Sequence, residues 1–190
     1  MARIIGGQGK GRRLKTPSGQ ATRPTGARVR QTLFDILGPR IPGCRFLDAF
    51  AGGGGVGLEA LSRGASRVVF ADSSAPAVAA IRENLRAMAA LGGDVQVHRQ
   101  DAGQLVSALA RAAHRFDVVY LDPPYEGDQY ERLLERIGAG GLLDPRGVVV
   151  AEHFHKRELP ETIGGLVRSR VVRVGEHRLS FYCLSDQEAG

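Results

Sequence analysis

The chain has 190 residues, of which 43% are hydrophobic, and it carries 26 basic against 20 acidic side chains, a formal net charge of +6. That size suits one globular domain with a short appendage. It excludes a helical membrane protein, since no apolar run approaches the ~18 residues that a span requires. The N-terminus has no apolar signal core, and Cys44 and Cys183 stand apart without ligand-like spacing. A cytoplasmic protein with reduced, buried cysteines is therefore expected.

The charge is unevenly placed. Residues 1–34 hold eight basic side chains (Arg3, Lys10, Arg12, Arg13, Lys15, Arg23, Arg28 and Arg30) and no acid. Taking those eight from 26 leaves 18 basic residues against 20 acidic ones in the remainder. A basic segment on a near-neutral body reads as a polyanion-binding arm, with a merely solvated tail as the alternative. Gly6-Gly7 and Gly9-x-Gly11 suggest that the arm is a small hairpin with strands near 3–5 and 12–15. Arg23-Pro24-Thr25 then leads into a helix over Ala27–Leu37 with Val29, Leu33, Ile36 and Leu37 on one face, ended by Gly38-Pro39. This helix is expected to bring Arg28 and Arg30 to the mouth of a site. The organisation that follows is a basic extension over 1–40 and a main domain over 41–190.

From Cys44 onwards, strands and helices alternate. Apolar runs at 45–50, 67–71, 95–98, 117–121 and 147–151 read as strands. The clearest helix is 74–91, where Val78, Ile81, Leu85 and Met88 recur, with Ser73 or Ser74 as N-cap and Pro76 in the first turn. A further helix is expected over 128–138. Strand, helix, strand at this rhythm predicts an α/β, doubly wound, Rossmann-like sheet of parallel strands. The ending differs: Leu166–Val174 and 179–184, joined across Gly175-Glu176-His177, read as an antiparallel hairpin.

The first strand-to-helix turn runs from Asp48 through Phe50, Ala51, Gly52 and Gly54 to Gly57. Glycines there admit a ligand close to the backbone, and the next helix begins with N–H groups aimed at it. Gly52-x-Gly54-x-x-Gly57, with Asp72 twenty residues beyond Gly52, fits a nucleotide-type cofactor and by itself does not separate NAD from S-adenosylmethionine. Three features favour S-adenosylmethionine. Asp48 can take an amino group and would repel phosphates. Asp101-Ala102, ending the third strand, can read an adenine edge, whereas Asp72-Ser73, ending the second, would hold ribose hydroxyls with either cofactor. The length leaves no room for a separate dehydrogenase substrate domain.

The run 118–121 is short, β-rich and apolar, as a strand buried on both faces should be, and it stops at Asp122-Pro123-Pro124-Tyr125. In open α/β sheets the carboxyl ends of strands bind ligands. A carboxylate, a carbonyl held by proline and an aromatic ring suit a planar group bearing an amine. The plain alternative is a Pro-Pro turn that only ends a core strand.

In combination these pieces resemble a family. Asp48-x-Phe50-Ala51-Gly52-x-Gly54 with Asp122-Pro123-Pro124-Tyr125 looks like the amino-group methyltransferases. Arg3-Ile4-Ile5-Gly6-Gly7, Gly11-Arg12-Arg13, Arg23-Pro24-Thr25, Arg28-Val29-Arg30 and 57–64 narrow the resemblance to the bacterial 16S ribosomal RNA guanine-N2 methyltransferases of the D type. The resemblance implies S-adenosylmethionine as cofactor and a small-subunit ribosomal RNA guanine as acceptor, free or in a partly assembled particle. It further implies Asp122, Pro123, Pro124 and Tyr125 at the acceptor, RNA contacts from Arg12, Arg13, Arg23, Arg28 and Arg30, no metal and a monomer. The chain departs from the family pattern at several positions. Gly53 and Gly55 replace a serine and an alanine, Asp72-Ser73 stands where glutamate is commoner, and Ala27 and Gln31 replace acids near Arg28.

Other residues invite competing readings. His153-x-His155 has the alternation of a strand end more than the make-up of a metal pair, since no third ligand accompanies it. Glu152 either lines a base pocket or solvates a sheet edge. Glu59 reads as a local hydrogen-bond partner rather than a catalyst, and Arg168, Arg170 and Arg173 as a solvated strand face, with added phosphate contacts as the alternative. The alternatives to the RNA enzyme are an amino-group methyltransferase acting on DNA or another RNA, and a non-catalytic ribosome-binding protein.

Overall fold

The computed structural model describes residues 2–17, 26–124 and 128–185. Two compact units divide the chain, 1–102 and 103–190. The segment 1–40, expected as an extension, lies within the first of them.

In the first unit β1 (Ala2–Arg3) pairs antiparallel with β2 (Arg13–Leu14). The turn between them is tightened by Ile4 N–H to Arg12 carbonyl (3.0 Å) and Gly11 N–H to Ile4 carbonyl (2.9 Å). Helix α1 spans Ala27–Leu37 as expected, but its buried face is Val29, Arg30, Leu33, Phe34 and Leu37. Phe34 replaces Ile36, which is only half-buried. Strands β3 (Arg45–Asp48), β4 (Arg67–Asp72) and β5 (Asp94–Arg99) are parallel in the order β5-β4-β3. They are crossed over by α2 (Gly55–Ser62) and α3 (Ala75–Ala87). Phe46, Leu47, Val68, Val69 and Phe70 are fully buried, which is why β3 and β4 read as unbroken apolar runs. Helix α3 stops four residues short of the expected end and continues as a 3₁₀ turn over Ala89–Leu91. Its cap is Ser74, whose hydroxyl accepts from Ala77 N–H, and Pro76 sits in the first turn.

The second unit opens on α4 (Ala102–Arg111), which starts at the boundary residue, followed by β6 (Phe116–Leu121). Helix α5 (Gln129–Ala139) buries Tyr130, Leu133, Leu134 and Ile137, the four apolar positions of its 3.6-residue pattern. Strand β7 runs from Leu143 to Phe154, parallel to β6, with a register irregularity between Phe116 and Val118 that lets out Asp144-Pro145-Arg146-Gly147. The last strands are β8 (Thr162–Ile163), β9 (Leu166–Val174) and β10 (His177–Leu184). β10 lies antiparallel between β7 and β9, in the order β6-β7-β10-β9-β8. The parallel α/β pattern closing in an antiparallel hairpin is thus observed, with the turn shortened to Gly175-Glu176. No described helix is long and apolar enough to cross a membrane. Both cysteines are free, Cys44 buried and Cys183 half-buried rather than fully so.

Candidate active site

In the first unit the carboxyl ends of β3 and β4 are set side by side by register, with Asp48 opposite Phe70 and Asp72 two residues further along. The chain leaves β3 through Gly52 and Gly54, at φ +52° and +80°, conformations that favour glycine. Gly57 has a different reason to be glycine. A Cβ there would lie 2.3 Å from the Phe70 ring, so its absence lets α2 close onto β4.

Asp48 is 1% exposed. Its Oδ2 accepts the Gly57 N–H at 2.9 Å, whereas its Oδ1 is buried with no hydrogen-bond partner among the described residues. Burial raises its pKa to about 7; the Gly57 N–H opposes the rise and the nearby Asp72 carboxylate adds to it. A buried oxygen without a donor, in a group held near neutrality, fits an incoming ammonium. Asp72 is half-buried and braces the turn: Oδ2 accepts from Gly52 N–H (2.8 Å) and Oδ1 from Ser74 N–H (2.8 Å). Each carboxylate oxygen still has a second acceptor position for a ribose hydroxyl. Phe50 and Gly52 are half-buried beside it, Ala51 and Gly54 are buried, and Ser73 is exposed. Asp101 is exposed two residues after β5 ends, and Ala102 opens α4. This donor and acceptor set fits S-adenosylmethionine.

In the second unit Asp122 is half-buried at the end of β6, Pro123 is buried and Pro124 exposed. Tyr125 lies outside the described residues. Tyr130 supports the turn from α5: its hydroxyl donates to the Glu152 carbonyl at 2.6 Å and lies 3.5 Å from the Pro123 carbonyl. Glu152 does not solvate a sheet edge. It is 1% exposed, accepts from the Tyr120 hydroxyl, and lies 2.8 Å from His177 Nδ1. His153 Nε2 is 2.8 Å from Ser180 Oγ, and burial lowers its pKa. His155 is engaged with Glu176.

The arm departs from expectation at one position. Arg30, expected to face RNA, is 2% exposed. Its guanidinium donates to the Arg3 carbonyl at 2.6 Å and lies 3.7 Å from Glu59, so it braces the interior and is not presented to phosphate. Arg12, Arg13 and Arg28 are exposed. Arg12 also donates to the Ala87 carbonyl, and Arg23 lies outside the described residues.

Sequence reasoning missed how the arm is held. Fully buried Glu59 accepts from Ile5 N–H (2.8 Å), Gly6 N–H (2.7 Å) and Arg63 Nε (2.9 Å); two of these partners are more than fifty residues away, so it is not only a local partner. Ser62 donates to the Gly6 carbonyl (2.6 Å) and accepts from Gly9 N–H (2.8 Å). Two polar residues one helical turn apart in a wholly buried helix were the available signal, since buried polar groups need partners.

The family described as conserved hypothetical protein 95 matches residues 2–183. The Bacillus subtilis protein YlbH is 40% identical over 180 residues, 95% of this chain and 97% of that one. Ribosomal RNA small subunit methyltransferase D of Escherichia coli is 35% identical over 158 residues, 83% of this chain and 77% of that one. The solved structure of yhhF from Escherichia coli superposes with a TM-score of 0.82 at 31% identity, covering 96% of this chain and 97% of that one. With a parallel α/β core, a glycine turn under a buried carboxylate and these relatives, the chain belongs to the conserved hypothetical protein 95 family, together with the ribosomal RNA small subunit methyltransferases D.

Proposed function

We propose that the protein transfers a methyl group from S-adenosylmethionine to the exocyclic N2 amine of a guanine in small-subunit ribosomal RNA. The observation that carries the reading is the buried Oδ1 of Asp48 under the glycine turn, which has no hydrogen-bond partner among the described residues. Methyl transfer to ribosomal RNA follows from the family, and the amine class from the Asp122-Pro123 turn. The guanine-N2 assignment rests on the motif resemblance.

The cofactor supplies a methyl already activated on a sulfonium. The chain's residues hold and orient the partners. Asp48 accepts the amino group, Asp72 the ribose hydroxyls, and Asp101 with the Ala102 N–H the adenine edge. Guanine N2 is a weak nucleophile because its lone pair is delocalised into the ring. Accepting its two N–H groups on the Asp122 carboxylate and Pro123 carbonyl favours a pyramidal nitrogen and offsets the positive charge that grows as the new N–C bond forms. The surplus N–H proton then leaves to Asp122, directly or through water. Tyr125 stacks on the extruded base, returning roughly 1–3 kcal/mol against an unstacking cost of a few. Arg12, Arg13, Arg23 and Arg28 bind backbone phosphates.

Labelled methyl transfer to naked small-subunit RNA, partly assembled subunits and duplex DNA tests the reading. Label on either RNA substrate and none on DNA is expected. Label on DNA alone, or on no acceptor while ribosomal particles still bind the protein, overturns it.

A further inference from the structure

We infer that Asn84 is a positioning residue through which cofactor loading sets the basic arm; this rests on the reading that the cofactor occupies the glycine turn. Asn84 lies on α3, is 3% exposed, and uses both ends of its carboxamide. Its oxygen accepts the Lys15 N–H at 2.8 Å, and its nitrogen donates to the Lys15 carbonyl at 3.0 Å and to the Gly53 carbonyl at 3.0 Å. Two of these bonds reach the arm and the third reaches the cofactor turn. A planar amide with its two N–H groups committed to different segments transmits a displacement of one to the other.

A second observation places the two segments in contact. A Cβ built on Gly53 would lie 3.2 Å from the Lys15 carbonyl oxygen and 3.3 Å from Pro17 Cδ, so the arm runs directly against the turn. The anchoring extends along α3, where Lys15 pairs with Glu83 and Arg12 donates to the Ala87 carbonyl. The two arginines beside this anchor, Arg12 and Arg13, are exposed. A ligand that fixes the Gly53 carbonyl therefore fixes Lys15 and the strand carrying those arginines. Through linkage, an arm held by RNA tightens the turn on the cofactor in return. The protein is thereby set to take RNA when its methyl donor is in place.

Hydrogen–deuterium exchange, with S-adenosylhomocysteine as the probe, reads this without any RNA. In wild type the ligand slows exchange at residues 51–58 and also at Ile4 and Gly11 in the arm, the latter by about fivefold or more, as expected of an inter-site coupling. In Asn84→Ala the turn still slows and the arm no longer responds. Asn84→Asp keeps an acceptor for the Lys15 N–H but has no N–H to offer the Gly53 carbonyl, and it produces the same loss, which keeps the test decisive should Asn84→Ala fail to fold. Arm amides that respond to ligand equally in both variants and wild type overturn the inference, as does a wild-type arm that stays silent while the turn slows. Silence of the turn itself overturns the cofactor reading, and this inference with it.

Discussion

Asp48 shows how one buried atom sets both a binding site and a pH response. Its pKa of about 7 means that the folded protein keeps a proton which the unfolded chain releases near pH 4. The native state then binds more protons than the unfolded state between those values, so stability without cofactor falls as pH rises from about 4 to about 7, by on the order of 4 kcal/mol. Urea titrations across that window will show the decline, and Asp48→Asn will flatten it. Cofactor binding has the opposite dependence. The ammonium needs the ionised carboxylate, so affinity rises with pH until Asp48 is deprotonated, and binding near neutrality releases a proton. Calorimetry in buffers of different ionisation enthalpy measures that release. Asp48→Asn will abolish it and weaken binding roughly 10- to 100-fold, the range of a hydrogen bond to a charged group. Asp48's placement before the glycines was legible in the sequence, but its orphaned oxygen was not, because that depends on how α2 folds back over β3.

Among the elements, α2 has the most varied demands. One end starts under the glycine turn, its middle packs on β4 through Gly57, and Glu59 and Ser62 hold the N-terminal hairpin. Glu59→Ala removes the carboxylate beneath the buried Arg30 guanidinium and leaves two arm N–H groups without their acceptor, so a loss of about 3–5 kcal/mol is expected in urea unfolding. The fully buried carboxylate with four cationic or N–H neighbours leaves little room for repair. Gly57→Ala forces a methyl into Phe70 and costs about 1–3 kcal/mol or more by overpacking. Elements with a clear period were legible: α1, α3, α5 and the buried strands follow from spacing and apolar runs alone. Long-range polar ties were not. Asn84 lies outside the apolar positions by which the helix was recognised, and its partners lie 31 and 69 residues away. Arg30 escapes pattern reading for the same reason, since a basic run looks solvated until an acid 29 positions later is found beneath it.

At the scale of the whole molecule, a near-neutral body carries a basic arm whose exposed arginines are available to a polyanion. If Arg12 and Arg13 bind phosphates, neutralising both lowers the slope of log affinity against log salt by roughly 0.7–0.9 for each phosphate set free. Affinity for RNA in filter binding will then fall uniformly across sequences. The fold class and the order of the sheet's closing hairpin were readable because the alternation of apolar runs and glycine turns is local. The fastening of the arm to α2 was not, because it rests on hydrogen bonds between residues more than fifty positions apart. The proposed role of Asp122 is to hold an RNA amine for methylation. The most direct test digests methylated small-subunit RNA to nucleosides and identifies the product by mass spectrometry, for wild type and for Asp122→Ala, with cofactor binding measured alongside. N2-methylguanosine from wild type, and its near-absence from a variant that folds and binds S-adenosylmethionine normally, is the predicted result. A different methylated nucleoside, or undiminished N2-methylguanosine from Asp122→Ala, would contradict it.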